Sequence, residues 1–171
     1  MARDLGATAR QSPIEGWGLY ALRDFAAGDI IQRVNIIREI TDAAPLRPER
    51  DEHPHHCAYP DGKMVLYGFP DRHMNHSCDP NAWYDYADYE EMGAPLVRAR
   101  RAIAKDEEVT VDYLINNPGG NSWPCACGAA RCRGETGISF FTLPEAIQQE
   151  YRPLLAPWFV WGFLKRFGDG I

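Results

Sequence analysis

Seven residues, Asn75-His76-Ser77-Cys78-Asp79-Pro80-Asn81, most restrict what this chain can become. They carry two amides, an imidazole, a hydroxyl and a thiol, and few of them could serve an apolar core. Pro80 fixes its own φ, and Asp79 and Asn81 can hydrogen-bond nearby backbone, so the stretch favours turns. It reads as an irregular loop dense in donors and acceptors, the kind of segment that often hosts function. Two other stretches gain meaning beside it. Glu107-Glu108-Val109-Thr110-Val111-Asp112-Tyr113 ends a strand-like run in a phenol, and Cys125-Ala126-Cys127-Gly128-Ala129-Ala130-Arg131-Cys132 gathers three thiols.

The cysteines are Cys57, Cys78, Cys125, Cys127 and Cys132. The last three stand at C-x-C-x4-C, which suits metal ligation better than a disulfide ladder. A closed zinc site wants four ligands, so this segment supplies all but one of them. Free thiols imply an intracellular, reducing setting, cytoplasmic or nuclear. The N-terminus lacks the apolar stretch of a signal peptide, and no run reaches the roughly 20 apolar residues of a membrane span. At 171 residues the chain is most simply one domain with a sizeable core. Its net charge of -6 argues against a nucleic-acid coat. The charge fits plain solubility or the attraction of a basic peptide.

Along the chain, Gly16-Trp17-Gly18-Leu19 allows a tight turn before a strand at 19–23. Ala27-Gly28-Asp29 is a turn, and 30–40 reads as one or two strands. Residues 41–56 hold Pro45, Pro48 and Pro54 among polar neighbours and read as a loop or a short helix with loops. His53, His55, His56 and Cys57 could each ligate zinc. No second cluster lies near them in sequence, however, so solvated loop histidines are the expectation. Asp61-Gly62 supplies a hairpin turn between 57–60 and 63–67. Residues 85–91 read as a solvated hairpin end, 95–103 and 108–114 as strands, and 116–124 as a linker. Thr142 and Glu145 form a capping-box pattern for a helix to about Tyr151. Pro157 opens a second helix, 158–167, ended by Gly168 and apolar on much of its surface. That helix packs on the domain or makes a dimer contact, giving a monomer or a homodimer.

Taken together and in order, the glycine turn, the Asn-His-Ser-Cys loop, the acidic-Val-Thr-Val-Asp-Tyr run and the Cys-x-Cys-Gly-x-x-x-Cys-Arg-Gly segment resemble the SET-domain protein lysine methyltransferases. The resemblance implies a mainly β fold of several small sheets with a pseudoknot, the family's β-clip, and short C-terminal helices. It divides the chain into a SET domain at 7–124 with a variable insert at 41–56, a post-SET zinc segment at 125–136 and a helical extension at 137–171. It implies S-adenosylmethionine as methyl donor, bound by Gly16, Trp17, Gly18, Arg72, Asn75, His76 and Tyr113, with Tyr113 catalytic. It implies structural zinc on Cys78, Cys125, Cys127 and Cys132. The substrate would be a Lys-containing protein, a histone first.

Two departures stand out. His73 occupies a position where the family usually has an aromatic ring. Val111 stands where the family usually has Phe or Tyr beside the lysine channel, which Tyr59 is also expected to line. A small residue there predicts more than one methyl transfer. Two other classes fit the chain as well: a non-catalytic SET-fold peptide binder, and a zinc-stabilised assembly protein.

Overall fold

The structure, a computed structural model, describes residues 5–165. Nine short strands form three antiparallel sheets of three. β1 (Ala7–Gln11), β2 (Trp17–Ala21) and β9 (Glu108–Val109) make the first. β3 (Ile30–Arg33), β8 (Leu96–Ala99) and β7 (Ala82–Asp85) make the second, in that order. β4 (Ile36–Glu39), β6 (Val65–Tyr67) and β5 (Cys57–Ala58) make the third. This is the mainly β arrangement of several small sheets that the resemblance implies.

The run at 30–40, expected as one or two strands, splits into two. Its halves join different sheets, and each pairing carries a register shift. The β5–β6 hairpin turns through Asp61 (φ 50°) and Gly62 (φ 73°), with the Lys63 N–H donating to the Pro60 carbonyl at 3.0 Å. Two successive positive φ values are what a right-twisted hairpin needs, so the Asp-Gly signal is realised directly. The insert at 41–56 is loop with two short 3-10 turns, Pro48–Arg50 and Pro54–His56.

Three local expectations are corrected. The strand expected over 108–114 stops at Val109. From Thr110 onward the backbone bonds to the central loop and the start of β7 instead: Thr110 N–H donates to Asn81 Oδ1 (2.8 Å), and Ala82 N–H donates to the Thr110 carbonyl (3.0 Å). Thr142 does not cap a helix with Glu145. Leu143 precedes Pro144 and is extended, as residues before proline tend to be, so the box closes one turn earlier, between Ser139 and Thr142. Helix α2 (Glu145–Tyr151) then starts after Pro144. The last helix opens at Pro157 as expected, but α3 (Pro157–Phe159) passes into a π turn at Val160–Leu164. Its expected end at 167–168 lies outside the described residues. Residues 89–92 also form one helical turn, Tyr89–Met92, capped by Gly93 at φ 67°.

Two buried clusters hold these parts. One lies between the sheets and includes Leu19, Phe25, Val97, Val109 and Val111. The other joins Leu114 to the C-terminal segment through Phe140, Tyr151 and Phe159, each fully buried. Burying each such ring contributes about 1.5–3 kcal/mol, so the segment after the cysteines is packed down as part of the domain. This is the first of the two expectations for the C-terminal helix. No helix among the described residues is long and apolar enough to cross a membrane.

Candidate active site

The site forms where the central loop runs beside residues 110–113. His76 and Val111 make a parallel bridge, the Ser77 N–H donates to the Val111 carbonyl (2.9 Å), and the Val111 N–H donates to the Asn75 carbonyl (3.1 Å). Loop and strand end are thereby locked in register, which fixes Tyr113 beside His76. Their rings lie 5.2 Å apart.

The Tyr113 hydroxyl donates to the Met74 carbonyl at 2.8 Å. Burial, and then the Glu108 carboxylate, hold this phenol above its ordinary pKa. It therefore stays protonated, with its proton committed and its oxygen lone pairs available as acceptors. The Tyr113 N–H donates to His76 Nδ1 at 3.1 Å, which leaves the His76 proton on Nε2, 3.4 Å from Cys78 Sγ. Burial pushes His76 down to about 4, against the opposing pull of Asp112. His76 is thus a neutral spacer between the phenol and the thiol cluster.

Asn75 serves the glycine turn. Its amide N–H2 faces the Glu15 and Trp17 carbonyls (3.2 and 3.0 Å), Ser12 Oγ (3.1 Å) and Glu108 Oε1 (2.8 Å). Glu108 also accepts from the Ser12 hydroxyl at 2.8 and 2.9 Å. Gly16 takes φ +41°, a conformation that side chains resist. At Gly18 an added Cβ would meet Glu108 Oε1 at 2.1 Å. The glycine motif is therefore shaped by Asn75 and Glu108 from below.

A cleft opens between these parts and the cysteine segment. It is lined by Glu15, Asn75, His76, Tyr113, Trp123 and Ala126, among others. The Trp123 ring lies 6.2 Å from that of Tyr113 and is half exposed. A flat indole, an acidic side chain and backbone carbonyls suit a planar base, hydroxyls and a cationic sulfur respectively, so the residues present fit the nucleoside donor that the resemblance implies. Of the residues expected to hold it, Asn75, His76 and Tyr113 line this cleft. Gly16, Trp17 and Gly18 form the adjoining turn. Arg72 points elsewhere: Nη2 bonds Asp51 (2.6 Å) and Nε donates to His73 Nε2 (3.3 Å). Tyr59 is exposed, and Val111 is buried in the core cluster with Tyr67 and Met74.

Cys78, Cys125, Cys127 and Cys132 bring their sulfurs within 4.8 Å of one another, so this group could hold a metal ion. Four sulfurs about 2.3 Å from a central zinc stand roughly 3.8 Å apart, the separation of Cys78 and Cys125 here. Backbone N–H groups point at the sulfurs: Cys78 to Cys127 (3.5 Å), Arg133 to Cys78 (3.4 Å) and Gly134 to Cys132 (3.4 Å). Against the cost of burial, such donors from Cys78 and Ala129 draw Cys127 down to about 6. The residues fit a tetrahedral all-thiolate ion.

Sequence reasoning missed a buried hub. Asp112 accepts a two-pronged pair from Arg133 (2.8 and 3.1 Å), a bond from the Tyr151 hydroxyl (3.0 Å) and one from the Leu114 N–H (3.0 Å). It ties the phenol's own strand end to the cysteine segment and to α2. Its place beside Tyr113 was the available signal. Trp123 also escaped notice, inside a stretch that reads as linker.

The SET domain family model matches residues 16–114, more than half of the chain. Among similar proteins, the Drosophila melanogaster histone-lysine N-methyltransferase trr is 31% identical over 133 residues, 72% of this chain and 5% of that protein. Histone-lysine N-methyltransferase ash1, also from D. melanogaster, is 30% identical over 135 residues, 72% of this chain and 6% of its own length. The H3 lysine-36 specific enzyme of Candida albicans is 32% identical over 139 residues, 71% of this chain and 15% of that protein. The chain thus spans only a small part of the curated relatives it matches.

Proposed function

Because this chain belongs to the SET-domain family, we propose that it is an S-adenosylmethionine-dependent protein-lysine N-methyltransferase. Its proposed substrate is a histone or another Lys-rich protein. The observation that carries this is Tyr113, placed beside the cleft by its bonds to Met74 and His76 and held protonated by burial and the Glu108 carboxylate. The similarity to named histone-lysine methyltransferases supports the reading.

When bound, the cofactor supplies an electrophilic methyl group on sulfur. What the chain must supply is position. Aligning two reactants at contact distance can lower a barrier by about 7–11 kcal/mol. Tyr113 is suited to this because its proton is already donated to Met74, so its oxygen can only accept. An acceptor at that point orients an amine N–H and draws in positively polarised methyl hydrogens. His76 does not act as a base toward the phenol, since it is neutral and its Nδ1 is occupied. The lysine must therefore arrive as, or become, the neutral amine, which a dry channel favours by lowering its pKa. Asn75 and Glu108 hold the glycine turn, Trp123 offers a stacking face, and the four cysteines, which would hold zinc, would keep the Trp123–Ala126 wall in place.

Tyr113→Phe removes the acceptor and leaves the ring. Turnover on a histone panel with labelled cofactor is expected to fall at least ~100-fold, with cofactor affinity and melting temperature little changed. A variant that retains the wild-type rate on a verified substrate would overturn the assignment.

The small size of Val111 supports a proposal about product number, namely that the enzyme adds more than one methyl. Val111→Tyr should shift products toward monomethyl-lysine in intact-peptide mass spectrometry. Because Val111 is buried, the same change should cost about 1–3 kcal/mol by overpacking. Unchanged products from a folded variant would place the limit elsewhere.

A further inference from the structure

Four of the protein's five histidines meet at one place. His53, His55 and His56 come from the turn at 53–56, and His73 comes from the segment leading into the central loop. Ring centroids lie 5.3 Å apart for His53–His55, 5.5 Å for His53–His56, 4.2 Å for His55–His56 and 6.0 Å for His56–His73. The sequence pattern His-Pro-His-His has no partner nearby in the chain. Folding supplies that partner as His73, the position where an aromatic ring would be expected.

We propose that this cluster is a metal site, distinct from the four cysteines, taking one divalent transition ion through imidazole nitrogens. Zinc-bound imidazoles about 2.0–2.1 Å from their ion place neighbouring ring centroids roughly 5 Å apart, close to the separations found. Two of the rings already have the outer hydrogen bonds that bound histidines keep. His56 Nδ1 faces the Asp51 carbonyl at 3.1 Å, which leaves Nε2 as a donor to metal. His53 Nε2 faces the Asp51 carboxylate at 3.3 Å, which leaves Nδ1. An all-imidazole set favours zinc, nickel or copper over magnesium or calcium.

The rings must turn to close on an ion, since among the described residues only the four cysteines bring ligand atoms within 4.8 Å of one another. His55 is exposed and free to do so. His73 Nε2 presently accepts from Arg72 Nε and would exchange that donor for the ion. Arg72 would remain anchored to Asp51, whose carboxylate offsets part of the added positive charge. A bound ion would fasten the 53–56 turn to the segment entering the central loop. That segment lies next to the glycine turn, for the His73 ring stands 6.1 Å from Trp17.

The test is a Ni2+ titration of the full chain with its cysteine site already zinc-loaded, read by calorimetry and by imidazole proton signals. About one further equivalent is expected, with saturable broadening of His53, His55, His56 and His73 while His76 is spared. His73→Phe and His55→Ala should each weaken binding by more than the roughly 10- to 100-fold that losing a ligand's hydrogen-bond partner costs. Melting curves without metal check that His73→Phe folds. If it does not, the exposed His55 variant decides. No saturable binding in the wild type, or wild-type affinity in a folded variant, would overturn the site.

Discussion

Replacing Cys78 with serine is expected to abolish the zinc binding proposed for the four cysteines and to lower the melting temperature by about 10 °C or more. Cys78 is fully buried in the central loop, whereas its three partners come from the 125–132 segment. It is therefore the one sulfur that joins the two segments. A serine hydroxyl stays protonated at neutral pH and is a poor zinc ligand, and the three thiolates left behind repel one another. Structural zinc contributes folding free energy outright, about 10–16 kcal/mol in small zinc domains. Here the clusters around Val109 and Phe159 carry much of the fold independently, so the loss is partial. It should fall on residues 123–136, the Trp123 wall, and with them on cofactor binding. Zinc content after dialysis, melting curves and hydrogen exchange across that segment would measure the change. Cys57→Ser is the control, because Cys57 lies outside the cluster and its thiol donates to the His53 carbonyl at 3.6 Å. If Cys78→Ser keeps a full equivalent of zinc and melts like the wild type, the four-cysteine site is wrong.

Much of this architecture is legible in the sequence because its local chemistry is unambiguous. Asp61-Gly62 can be little else than a hairpin turn, and residues 75–81 have too few apolar side chains to be anything but a loop. The fourth sulfur in the loop follows from the resemblance, and the structure brings it to the other three. What escaped depends on contacts distant in sequence. Arg72 matches a motif position, and its partner Asp51 comes from the insert, a pairing that only folding reveals. His73 and the His53–His56 turn are 17 to 20 residues apart and acquire a relation only when the insert folds back. Strand 108–114 looked longer than it is because Thr110 and Val111 have strand propensity. Their partners, however, come mainly from the central loop, with only Ala82 at the start of β7 reaching the Thr110 carbonyl. Trp123 sits among Gly, Asn and Pro, where composition signals linker and gives no hint of a ring facing Tyr113.

Asp112→Asn is expected to destabilise the protein by about 3–5 kcal/mol, the usual cost of breaking a buried pair by altering one partner. The Asp112 side chain is fully buried, and that of Arg133 is 15% exposed. The carboxylate accepts from Arg133, Tyr151 and the Leu114 N–H at once. An amide replaces one acceptor oxygen with a donor, so either Arg133 or Tyr151 must face a hydrogen and the guanidinium loses its counter-charge in a dry site. For a chain of this length the loss corresponds to a drop of roughly 10 °C in melting temperature. Tyr151→Phe removes only one neutral donor and should cost about 1 kcal/mol. The double change Asp112→Leu with Arg133→Met removes both charges together and should recover much of the stability lost in Asp112→Asn, since a well-packed apolar pair often matches a buried ionic one. It should not recover activity, because the Arg133 side chain, through Asp112, positions the strand end that carries Tyr113. Melting curves for the three variants, alongside methyl-transfer rates, separate these roles. A melting temperature for Asp112→Asn within about 2 °C of wild type would show that the pair orders the segment without stabilising it.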